Sequence, residues 1–234
     1  MNIDLMISAD DIKKEKIIDK SVIVVDMLRA TSVICTAINN GCSKVIPVLT
    51  IEEALETAGD DRGRYILGGE RKALKIEGFN CSNSPLEYTK AMVLGKTLII
   101  TTSNGTRAIK GCEGAKNILI GALINADAVA RKIVELGNDV VIVNSGTLGE
   151  FSMDDFICSG YIIERIKKYV EVNLSDIATT SNYVYKNNEN VVDFVQYAKH
   201  YKRIMELNFK DDLDYCCKKD IMSVVPEYID GVII

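Results

Sequence analysis

Tryptophan is absent from this chain of 234 residues, histidine occurs once and proline three times. The seven cysteines are odd in number, irregularly spaced and form no C-x-x-C pair. That argues against a disulfide framework or a structural zinc site, and reduced, mostly buried thiols are expected instead. No apolar run reaches the roughly 18 residues of a membrane span. Met1-Asn2-Ile3-Asp4 lacks the basic and apolar regions of a signal peptide, so a cytoplasmic protein without a membrane role is expected. A net charge of −5 argues against non-specific nucleic-acid binding. The G-x-x-x-x-G-K-[ST] loop and the G-x-G-x-x-G fingerprint are both missing, so ATP and dinucleotide readings gain no support. What remains is an ordinary globular mixture, 47% hydrophobic and 26% charged, long enough for one large domain or two small ones.

The chain is organised around Ser21 to Ser32. Val22 to Val25 is an uninterrupted, mostly β-branched run that suits a strand buried on both faces. Asp26 follows at its carboxyl end. Thr31 is placed to cap a helix carrying Val33, Ile34, Ala37 and Ile38. Asp26 and Arg29 should therefore stand at the mouth of an α/β sheet, where ligands bind, beside a helix N-terminus that attracts anions.

Further strands are expected at Ile3 to Ile7, Lys44 to Leu49, Tyr65 to Leu67, Thr97 to Thr101, Asn117 to Ile120 and Asp139 to Val143. Helices are expected at Ile51 to Ala58, Pro85 to Leu94 with Ser84 as its cap, Asn125 to Glu135, Asp154 to Val170, Val191 to Leu207 and Asp212 to Lys218. An offset of 75 residues sets Asp26 on Thr101, Ile34 on Ile109 and Glu70 on Ser145. That weak repeat predicts two strand–helix–strand units, each with a polar strand end and a helix N-terminus.

Several polar strand ends are candidates for one site. Asp26 and Glu70 are the first choices as ligands of a hard divalent cation, with Asp154 or Asp155 as a further one, because Mg²⁺ takes one or two protein carboxylates plus water and phosphate. Arg29, Arg71 and Arg107 are candidate anion clamps. Ser103, Asn104, Gly105 and Thr106 form a plausible anion nest, and Ser145 and Gly146 mark another polar strand end. His200 is the one histidine. Cys81 has no adjacent basic partner to make it a nucleophile.

These residues resemble the 2-phosphosulfolactate phosphatase family. The likeness rests on Val24 to Ser32, Gly68-Gly69-Glu70-Arg71, Gly78-Phe79-Asn80 with Asn83-Ser84-Pro85, Thr101 to Thr106, and Ser145-Gly146. Asn80 and Ser82 stand where the family pattern has Asp and Gly, so no role is carried over to Asn80. The resemblance implies a three-layer α/β/α domain with two intertwined halves arising from an internal duplication, over residues 1–234. It also implies a Mg²⁺-dependent phosphatase that converts 2-phosphosulfolactate to sulfolactate, a step toward coenzyme M. Asp26, Arg29 and His200 are then the expected catalytic residues. Asp26, Glu70 and Asp154 are the expected metal ligands. Thr31, Arg71, Ser103, Asn104, Gly105, Thr106, Arg107, Ser145 and Gly146 are the expected substrate contacts. The attacking group is expected to be a metal-activated water, with attack by Asp26 as the alternative. The partner is a small phosphorylated sulfonate or hydroxy acid, and a homodimer is left open. The rivals are a phosphatase for another phosphorylated hydroxy acid, a non-enzymatic anion-binding module and a Rossmann-type oxidoreductase.

Overall fold

The computed structural model describes residues 1–61 and 63–234. The strands are β1 (Asn2–Met6), β2 (Ser21–Val25), β3 (Lys44–Pro47), β4 (Tyr65–Arg71), β5 (Leu74–Lys75), β6 (Thr97–Thr101), β7 (Asn117–Gly121), β8 (Val140–Asn144), β9 (Asn173–Leu174), β10 (Tyr228–Ile229) and β11 (Val232–Ile233). The helices are α1 (Lys14–Ile17), α2 (Ala30–Asn39), α3 (Ile51–Ala58), α4 (Lys90–Val93), α5 (Gly105–Gly111), α6 (Ala126–Leu136), α7 (Met153–Ile166), α8 (Asp176–Asn187), α9 (Val191–Val195), α10 (Lys199–Glu206) and α11 (Lys210–Cys216).

One sheet has five strands in the order β7-β2-β8-β1-β9, and the other has six in the order β10-β11-β3-β6-β4-β5. The first is parallel throughout. The second is parallel at its centre and antiparallel at both edges. Every residue of β2 and β6 is buried, which is why both read as continuous apolar runs.

Helices α6, α7 and α8 cover one face of the five-stranded sheet through Val129, Ile133, Ile162 and Ala178. Helices α2 and α5 fill the space between the sheets with Val33, Ile34, Ala108 and Ile109. Helix α3 covers the far face of the six-stranded sheet through Ala54 and Ala58. Each sheet is thus an α/β/α sandwich, and the two share the middle helices. No helix among the described residues is long and apolar enough to cross a membrane.

Ala30 and Gly105, Ile51 and Ala126, and Tyr65 and Val140 begin corresponding elements 75 residues apart. In the sheets β2 lies between β7 and β8, whereas β6 lies between β3 and β4. Each unit's first strand is therefore flanked by strands of the other unit, so the two are interleaved. Descent from one duplicated unit remains an expectation.

Four stretches differ from the sequence-based expectation. The strand expected to stop at Leu67 runs on to Arg71 and turns back through β5. The helix expected over Pro85 to Leu94 is split into one turn, Pro85–Glu87, and α4. The split falls at Tyr88, a buried ring whose hydroxyl donates to the Ser82 carbonyl at 2.6 Å. The helix expected over Val191 to Leu207 is broken before Ala198, giving α9 and α10. Helix α8 was not expected; its polar sequence is capped by Ser175 and packs through Ala178, Ser181 and Tyr185.

Candidate functional site

The carboxyl ends of β2, β4 and β6 meet around a cavity of about 400 Å³. Asp26, Arg29, Glu70, Ser103, Asn104 and His200 all line it. So do residues with no sequence-based role: Leu28, Lys72, Ala73, Asn83, Thr147, Leu148, Lys199 and Arg203.

Asp26 is fixed by its surroundings. Its N–H donates to Thr31 Oγ1 at 3.1 Å, and that hydroxyl donates to the Asp26 carbonyl at 2.9 Å. Asp26 Oδ1 accepts the Ala30 N–H at 3.1 Å. The carboxylate, not Thr31, therefore satisfies the start of α2, and Thr31 ties the turn instead of capping the helix or lining the cavity. A Cβ on Gly105 would stand 2.7 Å from Asp26 Oδ2 and 2.5 Å from the Ala30 Cβ. Only glycine lets the first turns of α2 and α5 close around this carboxylate. Burial pushes the Asp26 carboxyl up to about 6. The Ala30 N–H and His200 oppose that shift, while Asp154 and Glu70 add to it.

Glu70 approaches from the other sheet. Its Oε1 accepts the Ser103 N–H and its Oε2 the Ala73 N–H, both at 2.7 Å. Both oxygens are thus held by backbone, and the carboxylate is buried.

Arg29 is 2% exposed, and Asp212 of α11 is equally buried. Its Nη1 is ion-paired with Asp212, Nη2 donates to the Ala73 carbonyl at 3.3 Å, and the guanidinium lies 4.3 Å from the Phe209 ring centroid. Asp212 also accepts the Ser84 hydroxyl at 2.6 Å. A buried charge of this kind persists only when it is paired.

His200 Nδ1 lies 3.7 Å from Asp154 Oδ2, an ion pair beyond hydrogen-bond length. Burial disfavours the charge on both groups, yet the pair outweighs it: His200 is held above its ordinary value and Asp154 below. Asp154 also accepts the Ser152 hydroxyl at 2.5 Å. It pairs with His200 and is not among the residues lining the cavity, where a metal contact is expected of it. Asp155 accepts the N–H groups of Met27 and Gly146 at 2.9 and 3.0 Å, tying together the turns after β2 and β8.

Several expected substrate contacts point elsewhere. Arg71 bonds the carbonyls of Glu70 and Leu49 and the Thr101 hydroxyl. Arg107 is half-exposed and paired with Asp10. Thr106 Oγ1 ties its own turn, accepting the Thr102 N–H at 3.2 Å and donating to the Thr102 carbonyl at 3.1 Å. Gly146 packs against Ser8 and Glu150. Ser145 is buried, and its hydroxyl has no partner among the described residues. Gly105 shapes the wall without lining it. Cys81 is buried, and burial pushes its thiol up to about 11, which makes it a poor nucleophile.

Among the described residues no group of three or more His, Cys, Asp or Glu side chains is gathered for a metal. Mg²⁺ does not require such a group; one or two carboxylates suffice, with water and substrate oxygens completing the shell. Asp26 and Glu70 line one cavity from two sheets, and Asp26 Oδ2 accepts no hydrogen bond among the described residues. That hard oxygen donor set fits such an ion.

The family model described as 2-phosphosulpholactate phosphatase matches residues 6–231. A probable 2-phosphosulfolactate phosphatase of Clostridium kluyveri is 67% identical over 233 residues, covering 100% of this chain and 97% of the relative. Its counterpart in Clostridium tetani is 66% identical over 233 residues, with 100% of each chain covered. That of Clostridium acetobutylicum is 65% identical over 238 residues, again with 100% of each covered. Matches of this length and identity show that the chain belongs to the 2-phosphosulpholactate phosphatase family of phosphoric monoester hydrolases.

Proposed function

We propose that this cavity hydrolyses 2-phosphosulfolactate to 3-sulfolactate and phosphate, with Mg²⁺ as cofactor. The carrying observation is that one small cavity sets two fixed carboxylates, Asp26 and Glu70, against a buried, immobilised Arg29. The proposed substrate carries phosphate, carboxylate and sulfonate on three carbons, so it calls for both a cation and cationic side chains.

Asp26 and Glu70 would hold Mg²⁺, which when bound offsets the charge on the phosphoryl oxygens. Arg29, pre-set by Asp212, the Ala73 carbonyl and Phe209, grips an anionic oxygen without ordering a flexible side chain. Water attacks phosphorus, the bond from phosphorus to the C2 oxygen breaks, and His200 gives its proton to the leaving alkoxide. Asp154 holds the His200 value above its ordinary one, which favours the protonated form for that step. Attack by Asp26 itself, giving an aspartyl phosphate, is the alternative route; ³²P retained on acid-quenched protein would mark it. The reaction is of the coenzyme M biosynthesis type, and the cytoplasm is its proposed compartment.

Phosphate release from a panel of phosphorylated hydroxy acids tests this proposal. The expected result is preference for the sulfonate, loss with EDTA, recovery with Mg²⁺, and loss of about 10³-fold in Asp26→Asn. Full activity in EDTA or in Asp26→Asn, or indifference to the sulfonate, would contradict it.

A further inference from the structure

Asn83 is buried, 5% exposed, and lines the cavity. Both of its neighbours are locked. The Ser82 N–H and hydroxyl donate to Glu87 at 2.6 and 2.7 Å. The Ser84 N–H donates to Ser82 Oγ at 3.1 Å, and the Ser84 hydroxyl donates to Asp212. The Asn83 side chain makes no hydrogen bond among the described residues: Oδ1 is buried without a partner, and the Nδ2 amide, on a residue that lines the cavity, donates to no protein group. An unpaired buried amide oxygen is costly, and such a group calls for an explanation. Asp212 bonds both Ser84 and Arg29. Asn83 thus enters the cavity next in sequence to the residue that shares Asp212 with Arg29, and Arg29, Lys72 and Arg203 line the same cavity.

We propose that Asn83 is a substrate-contacting specificity residue, donating from its amide to an acid group that the substrate carries beyond its phosphate. The choice of a sulfonate or carboxylate as that acid group rests on the function proposed above. The amide NH2 is a neutral donor, so it donates to an acid oxygen without adding charge. It reads the part of the ligand that does not react.

Calorimetric titration, which does not depend on turnover, tests the assignment. With Mg²⁺ present, Asn83→Ala is expected to weaken 3-sulfolactate binding about tenfold. Asn83→Asp, which sets a carboxylate against the acid group, should weaken it further. Binding of inorganic phosphate should stay within about twofold in both variants. The melting temperature of Asn83→Ala should not fall, because no intramolecular bond is lost. Unchanged 3-sulfolactate affinity in both variants, equal weakening of both ligands, or loss of folding in both variants would overturn the proposal. If the unaltered protein fails to bind 3-sulfolactate but hydrolyses another phosphorylated acid, the substrate reading fails. Asn83 is then scored on the dephosphorylated form of that acid.

Discussion

The turn leaving β2 and the turn leaving β6 are built alike and armed differently. In each, a threonine early in the helix folds its hydroxyl back on the residue that follows the strand. Thr31 does so on Asp26 and Thr106 on Thr102, and each closes both the N–H and the carbonyl. The first turn carries Asp26 and Arg29, a carboxylate and a guanidinium. The second carries Ser103, Asn104 and Gly105, two neutral polar groups and a gap that Asp26 fills. One backbone device thus serves two tasks: the first turn supplies charge, and the second supplies room and neutral contacts. The β4–β5 hairpin joins them, since Glu70 takes the Ser103 N–H while the Ala73 carbonyl takes Arg29.

Filling the gap breaks the division of labour most severely. Gly105→Ala drives a methyl group into Asp26 and Ala30, and displacement of the carboxylate by even ~1 Å should lower kcat/KM about 10²-fold. Steady-state phosphate release measures it; unchanged activity would mean that the two turns are not in contact.

Removing the shared device from each turn separates their tasks. Thr31→Val and Thr106→Val should each cost about 1–3 kcal/mol in denaturant unfolding, because each strands a buried N–H. The first should lower kcat, because it loosens Asp26. The second should mainly raise KM, because Ser103 and Asn104 line the cavity without reacting.

A third change tests the proposed role of His200 as proton donor. Asp154 raises the His200 value, so Asp154→Asn should lower it. If protonated His200 is the acid, the alkaline limb of the kcat/KM profile moves to lower pH. A limb that stays in place removes His200 from that role.

The smallest effect concerns the hairpin that joins the turns. Lys72 and Ala73 both have left-handed backbones, φ 55° and 68°, a conformation that disfavours side chains by ~1–2 kcal/mol. Ala73→Gly relieves that strain at the expense of a more flexible unfolded chain. A net stabilisation of about 0.5 kcal/mol or less is expected, seen as a small rise in melting temperature.

How much of this was legible in the sequence follows from periodicity and distance. Asp26 stood out because a carboxylate after a β-branched run sits at a strand mouth, and the second turn announced itself by Asn104-Gly105. Sequence alone does not separate the directions of Glu70 and Arg71, for a physical reason. With β4 taken to end at Leu67, both side chains were free to face one site. The strand continues to Arg71, and successive strand residues point to opposite faces, so an inward Glu70 sends Arg71 outward. The Arg107 side chain pairs with Asp10, and helical spacing alone does not say which face meets the cavity. Asp212 lies 183 residues from Arg29, and no local pattern joins them. Lys199 and Arg203 share a helix face with a four-residue spacing, but the expected unbroken helix hid the break that turns that face to the cavity.

Strand ends from two separate sheets bring Asp26 and Glu70 to one cavity, where the proposed divalent ion would be held by both. Titration of Mn²⁺ followed by electron paramagnetic resonance tests it without reference to turnover. One Mn²⁺ per chain, displaced by Mg²⁺ and weakened at least tenfold by Asp26→Asn and by Glu70→Gln separately, is the predicted result. Affinity unchanged in either variant would contradict it.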